Sequence, residues 1–340
     1  MFKLIPTIAI SFLLFTINSL NAEELWAHGQ WNLQIENDVT FGDDGNYTNG
    51  LLLGWQSAPV NRYQEVESAL PNYFNWQNQW LLDQTYHHKN FGLKLSQRMW
   101  TPSEIKIETP QPNDRPYAGV LELEASTGTY SDSRAQKNWL SIGMIGPAAG
   151  AEKLQKAFHS STGSSFPSGW KYQIENTPII NLAYESDHLL YRSNSLGSFK
   201  FEASGYGYLN LSNLRSEANT GLLLRFGTNL ADSFGKISSH YGHAGNIISQ
   251  PNHSLIANSN LFFFTRAQLG YRFNDLTLTG DLPYESNVEL EHKQARLDIG
   301  AVWAFNHFSA TWSFNTYTKD YQSDPEKWHG YGSLTLSWRI

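Results

Sequence analysis

Ser333-Leu334-Thr335-Leu336-Ser337-Trp338-Arg339-Ile340 ends the sequence, and its strict alternation decides the fold. In an extended chain Leu334, Leu336, Trp338 and Ile340 share one face, and Thr335, Ser337 and Arg339 share the other. The same period of two recurs at Trp31, Leu33 and Ile35, at Leu51, Leu53 and Trp55, and at Phe91, Leu93 and Leu95. It recurs again at Leu121, Leu123 and Ala125, and at Phe308, Ala310, Trp312 and Phe314. Asn32, Gln34, Glu36, Glu122 and Glu124 occupy the faces between. Apolar residues toward lipid and polar residues toward a lumen is the arrangement of a closed sheet, in which every backbone group pairs within the ring.

Counting by the alternation rule gives about twelve such segments, near 29–39, 47–57, 89–100, 117–130, 138–146, 178–192, 196–210, 217–228, 259–273, 287–305, 308–319 and 330–340. The expected fold class is all-β, a transmembrane antiparallel up-and-down β-barrel, with both ends of the chain on its periplasmic side. The intervals rich in Gly, Ser, Asn and Pro alternate in length, as expected for short periplasmic turns and longer outer loops.

Composition narrows the alternatives. The 340 residues include 12 Trp, 17 Tyr and 19 Phe, no Cys and a net charge of -7. The absence of Cys excludes a disulfide-stapled secreted domain. No later segment approaches 18 continuous apolar residues, which excludes a helical membrane protein. Lys3, the apolar run Leu4 to Phe15 and Leu20-Asn21-Ala22 have the order of a cleaved signal peptide. The expected organisation is a signal peptide over 1–22 and a barrel domain over 23–340, in the outer membrane. No nucleic-acid partner is expected.

One interval differs. Pro147 to His159 is rich in helix formers, with Leu154 and Phe158 four apart and Ala151, Gln155 and His159 likewise spaced. A short helix in an outer loop is expected there.

No HExxH, P-loop or GxSxG pattern is present, so polar clusters are weighed singly. Asn37, in Glu36-Asn37-Asp38, follows Trp31, Leu33 and Ile35 onto the outward face. Either strand 1 has left the hydrocarbon there, or something covers Asn37 and uses it. Asp43, Asp44 and Asn46 add oxygen donors of the kind a hard cation takes, though Asp and Asn also populate turns. Tyr47-Thr48-Asn49-Gly50 opens strand 2 and brings Thr48 near Asn37 across a hairpin. His159 is the candidate base, since imidazole titrates near neutrality; Gln155, one turn earlier, could orient it or a water. Lys106 could hold an anionic phosphate as a point charge. Arg115, in Asp114-Arg115-Pro116-Tyr117-Ala118-Gly119, is expected to pair with lumenal Glu122 or Glu124 in a structural role.

In this order, Glu-Asn-Asp, Tyr-Thr-Asn-Gly, Asp-Arg-Pro-Tyr-Ala-Gly, Ile142-Gly143-Met144-Ile145-Gly146-Pro147, Gln155 with His159, and Gly169-Trp170 with Gln173 resemble the outer-membrane lipid A deacylase family. The resemblance implies a twelve-stranded barrel that removes the 3′-acyloxyacyl chain of lipid A, requires Ca²⁺ and keeps its site between the outer wall and a loop helix. It implies His159 as general base toward water and Gln155 as its support. Asn37, Asp38 and Thr48 would organise the site, with Asp38 and Asn37 on Ca²⁺, and Lys106 would hold the glucosamine phosphate. The implied partners are lipopolysaccharide and the membrane, with the chain a monomer. Two other readings stay open. An outer-membrane phospholipase would use a Ser-His-Asn arrangement; the pair His307 and Ser309, two apart, is expected to face the lumen. A porin or structural barrel would have an open lumen and an exposed His159.

Overall fold

A computed structural model describes residues 29–38, 45–57, 88–162, 165–194, 198–240, 260–305 and 307–339. The expected signal peptide and the Asp43-Asp44 pair lie outside them. Twelve antiparallel strands close into a barrel: β1 (Gln30–Asn37), β2 (Asn46–Gln56), β3 (His88–Thr101), β4 (Ala118–Tyr130), β5 (Arg134–Ile145), β6 (Thr177–Arg192), β7 (Lys200–Ser212), β8 (Arg215–Gly227), β9 (Asn260–Asp275), β10 (Lys293–Phe305), β11 (Phe308–Thr318) and β12 (Trp328–Arg339). Each expected segment overlaps one strand, with β5 starting at Arg134 rather than 138 and β7 at Lys200 rather than 196. β10 starts at Lys293, after the expected 287, because Asn287 and Glu291 are tied into the rim by main-chain bonds to Pro112 and Asp320.

The pattern that announced the strands also sets which way they face. Ile35, Leu53, Leu95, Leu123, Ile142, Ile180, Leu211 and Phe263 are exposed on the outside, whereas Gln34, Glu36, Lys94, Glu122, Lys137 and Glu185 are buried inside. This is the inverse of a water-soluble protein, and among the described residues no helix is long and apolar enough to cross a membrane. The ring closes where β1 meets β12, with Trp31 opposite Trp338 and Asn37 opposite Gly332, so no sheet edge remains for another chain to pair with.

Loop lengths depart from the expected alternation. The connections 57–87 and 228–259 both leave the end of the barrel where β1 starts and β12 stops, while at the opposite rim Asn213 and Leu214 alone join β7 to β8. The reason is visible in the lumen. A ring of eight strands is filled by its own side chains, but twelve enclose more space, and the first part of the β8–β9 connection folds into it. Leu230, Phe234 and Ile237 are buried there, Leu230 and Ile237 packing with Leu223, Phe262, Phe264 and Val302. Arg225 donates to the Leu230 and Ser233 carbonyls. Lys137 donates to the Gly235 carbonyl at 2.9 Å, and His240 contacts Tyr208 and Glu124, each at 2.8 Å.

Charge pairs fill much of the rest. Lys137 bridges Glu185 (2.5 Å) and Asp187 (2.8 Å), Arg266 pairs with Asp298 (2.5 Å), and Arg98 pairs with Glu122. Among the described residues the lumen is left with small polar cavities, two of them of about 30 and 40 Å³. Side chains and the inserted segment thus occupy lumen space that the porin reading would leave to water.

Arg115 does not reach Glu122 or Glu124, which are taken by Arg98 and by Lys94 with His240. It is fully buried at the rim and donates to Asp320 (3.2 Å), Asn46 (3.3 Å) and Thr277 (3.2 Å). It ties the rim together: Asn46 belongs to the neighbouring β2, whereas Thr277 follows β9 and Asp320 lies between β11 and β12.

Candidate functional site at the outer wall

β5 is followed by Gly146, whose φ of +109° and whose backbone approach to Glu175 and Asn176 both require glycine. The chain then passes through a 3-10 turn, Pro147–Ala149, and Gly150 in the left-handed region, and enters helix α1 (Ala151–Thr162). α1 lies against the outside of β3 and β4. At the contact a Cβ on Gly119 would stand 2.4 Å from the Ala151 side chain, so glycine on the outward face of β4 is what lets the helix approach. Met99, Tyr117, Ala151 and Trp170 form one buried cluster, with Leu154 packed on it.

The helix buries its polar stripe. Phe158 is 45% exposed, while Gln155 and His159 are 2% and 5% exposed. The stripe turned to the wall is therefore Ala151, Gln155 and His159, the polar one. Burying polar groups against an outer wall is costly unless they are used.

Their bonds fix their chemistry. His159 Nδ1 lies 2.5 Å from the Ser165 carbonyl. A carbonyl can only accept, so Nδ1 carries the proton and Nε2 of the neutral ring keeps its lone pair. Gln155 Oε1 accepts from the Trp170 indole at 2.7 Å.

On the barrel side, Asn37 Nδ2 donates to the Thr48 carbonyl at 3.2 Å. Thr48 is the extra residue of a β-bulge between Tyr47 and Asn49. A bulge re-aims side chains: Tyr47 turns into the lumen against Trp100 and Tyr331, whereas the Thr48 hydroxyl meets that of Thr101 at 2.7 Å. Asp38, one residue past β1, is 1% exposed. Strand pairing runs from Asn37 to Asn49, Asn49 to Met99 and Met99 to Gly119. One row across four strands thus carries Asn37 at one end and the seat of α1 at the other. β3 is touched from both sides, at Thr101 by Thr48 and at Met99 by the helix cluster.

Lys106 stands apart from this corner, exposed on the β3–β4 loop. That loop is moored beside the return from α1: Tyr117 donates its hydroxyl to the Ile105 carbonyl at 2.9 Å and Ser168 N donates to the same atom at 2.8 Å. Burial pushes the Tyr117 phenol up to about 12, so it remains a donor.

Asp38, Asn37 and Thr48 offer carboxylate, amide, hydroxyl and main-chain oxygens, a hard donor set that suits Ca²⁺ better than zinc. Among the described residues no group of three or more His, Asp or Glu side chains could hold a metal, so from these residues a cation would draw on the Asp38 carboxylate and neutral oxygens. Asn46 is turned elsewhere, bonded to Arg115 and His329. The phospholipase pair is not assembled: Ser309 is buried in the lumen, and His307 is exposed in the β10–β11 turn and does not join it there.

Sequence reasoning did not assign roles to Ser165, Thr101 and Trp170. Trp170 was visible as part of a motif; the other two are contacts made by folding and leave no pattern.

The profile of one family, described as outer membrane protein LpxR, matches residues 8–340. The solved structure of LpxR from Salmonella typhimurium superposes with a TM-score of 0.74 at 14% identity, covering 92% of this chain and 100% of that one. The β domain of the Bordetella autotransporter BrkA covers 92% of this chain and 99% of its own at 10% identity, with a TM-score of 0.42. No curated protein sequence matches.

Proposed function

Because the chain belongs to the outer membrane protein LpxR family, we propose that this outer-membrane barrel is a lipid A 3′-O-deacylase, hydrolysing the ester that holds the 3′-acyloxyacyl chain. The observation that carries the reading is the inverted helix: a polar stripe ending in His159 is pressed onto the outside of a barrel whose outside is otherwise apolar. That is where a lipid of the outer leaflet, and no soluble substrate, meets the protein.

The chemistry follows from the atoms. His159 Nε2, left unprotonated by the Ser165 contact, takes a proton from water as the water oxygen bonds to the ester carbon. The carbon–oxygen ester bond then breaks, and the departing alkoxide takes the proton back from Nε2. The products are the free acyloxyacyl acid and lipid A with a 3′-hydroxyl. Asp38 and Asn37, with Thr48 beside them, would hold Ca²⁺, whose positive charge favours the negative oxygen that develops at the carbonyl. Thr101 buttresses Thr48, and the Asn37 amide is held by the Thr48 carbonyl. Lys106, on its moored loop, would meet the glucosamine phosphate as a point charge. The chain works as a monomer.

The test is direct. Purified lipopolysaccharide and a glycerophospholipid are each incubated with the detergent-solubilised barrel and Ca²⁺, then weighed by mass spectrometry. Lipid A lighter by one acyloxyacyl chain, with the glycerophospholipid intact, is expected. Loss of a glycerophospholipid chain supports the phospholipase reading, and unchanged lipids in every arm support a barrel without chemistry.

A further inference from the structure

Gln155 is 2% exposed and its amide is only half used. The indole N–H of Trp170 can donate and cannot accept, so the atom 2.7 Å from it must be the amide oxygen. The amide therefore cannot be turned over, and its NH₂ group is left inside the contact between α1 and the wall. Nε2 is fully buried and has no hydrogen-bond partner among the described residues. A buried donor without an acceptor is disfavoured in a resting protein, and it stands on the same helical stripe as His159, one turn away.

We propose that Trp170 is a positioning residue that locks the Gln155 amide so that its N–H, not its oxygen, faces the reacting ester and donates to the carbonyl oxygen as charge develops there. This rests on the deacylase reading and assigns Gln155 a role different from support of the base. Water attack on the ester carbon moves the carbonyl electron pair onto oxygen; an N–H donor stabilises that oxygen, whereas the amide oxygen would repel it. Trp170 has the rigidity for the task. It is 1% exposed, its ring lies 4.8 Å from that of Tyr117, and it packs with Met99 and Ala151.

Three variants test the assignment on lipopolysaccharide in detergent with Ca²⁺, each first checked for the folded barrel by its heat-modifiable mobility. Trp170→Phe keeps an aromatic ring and loses the N–H, so the amide can turn; kcat is expected to fall about tenfold or more with KM unchanged. Gln155→Glu keeps an acceptor for Trp170 and loses the donor; kcat is expected to fall about 10²- to 10³-fold. The double variant is expected to be no slower than Gln155→Glu alone, since Trp170 acts only through the amide. An unchanged kcat in folded Trp170→Phe, a change confined to KM, or losses that multiply in the double variant each overturn the proposal. A wild-type barrel that releases no acyl chain removes the deacylase reading and this assignment with it; an active wild type beside a fully active Trp170→Phe removes the assignment alone.

Discussion

Inside and outside, this barrel treats buried polar groups in opposite ways. In the lumen they face one another: Lys137 with Glu185 and Asp187, Arg266 with Asp298, Arg272 with Asp320. Under α1, on the lipid side, the His159 imidazole is tied at one nitrogen and the Gln155 amide at its oxygen, leaving the working atoms to something that comes from outside. The first arrangement holds a ring together; the second stores binding capacity. Substitutions should separate them, since lumenal changes ought to move stability and wall changes ought to move turnover.

The largest expected effect is at His159. His159→Ala should lower deacylation about 10³- to 10⁴-fold while heat-modifiable mobility is unchanged, because the side chain belongs to a loop helix and not to the ring. Activity within tenfold of wild type would take His159 out of the mechanism.

Next comes the lumen. Lys137→Met leaves Glu185 and Asp187 without their shared cation and should cost about 3–5 kcal/mol, read as the urea midpoint of the barrel in micelles. Turnover per folded molecule should not change. If it falls, the two regions are coupled and the contrast fails.

A smaller effect, with a pH signature, is expected at the rim. Burial alone would raise the Asp320 carboxyl, but Arg272, Arg215 and Arg115 outweigh it and hold the group well below the usual carboxylate range. A depressed carboxyl contributes stability above its unfolded value of about 3.9 and loses it as pH falls through the lower folded value. The wild-type midpoint should thus be flat from about pH 7 to pH 5 and drop in stronger acid; Asp320→Asn should be less stable at pH 7 and lose part of that drop. An unaltered acid profile in the variant would refute the assignment.

The smallest effect tests the wall. Gln97 is an outward position of β3, level with Leu51 and Leu121, and its amide atoms are buried without partners. Gln97→Leu should raise stability by about 1 kcal/mol. If turnover falls as well, the substrate groove extends down to Gln97, and the outer corner is larger than the row from Asn37 to Gly119.

Much of this was legible before any coordinates. Period-two alternation located all twelve strands because half of each strand must meet lipid and the other half must not. Helical spacing put Gln155 and His159 on one stripe, which the structure buries, and alternation put Asn37 on the outward face, where its amide meets the Thr48 carbonyl. The inserted stretch from Leu230 to His240 was not found: irregular backbone has no period, and its Gly, Ser and Asn content reads as an ordinary loop. Arg115 was matched to Glu122 or Glu124 because they are close in sequence, but its partner Asp320 is brought to it by ring closure. The loop helix was legible from its composition and spacing, but spacing alone offered two stripes, Leu154 with Phe158 and Ala151 with Gln155 and His159, and did not say which one the wall would cover.

Where the ring is zipped shut matters for when chemistry can begin. Asn37 belongs to β1, whose other neighbour is the last strand of the chain, so the corner that would hold the cation is flanked by the final seam to form. Until that seam is closed, β1 lacks one of its two neighbours. On the deacylase reading, a defect in β12, on the opposite side of β1 from Thr48 and α1, should therefore lower turnover as well as stability.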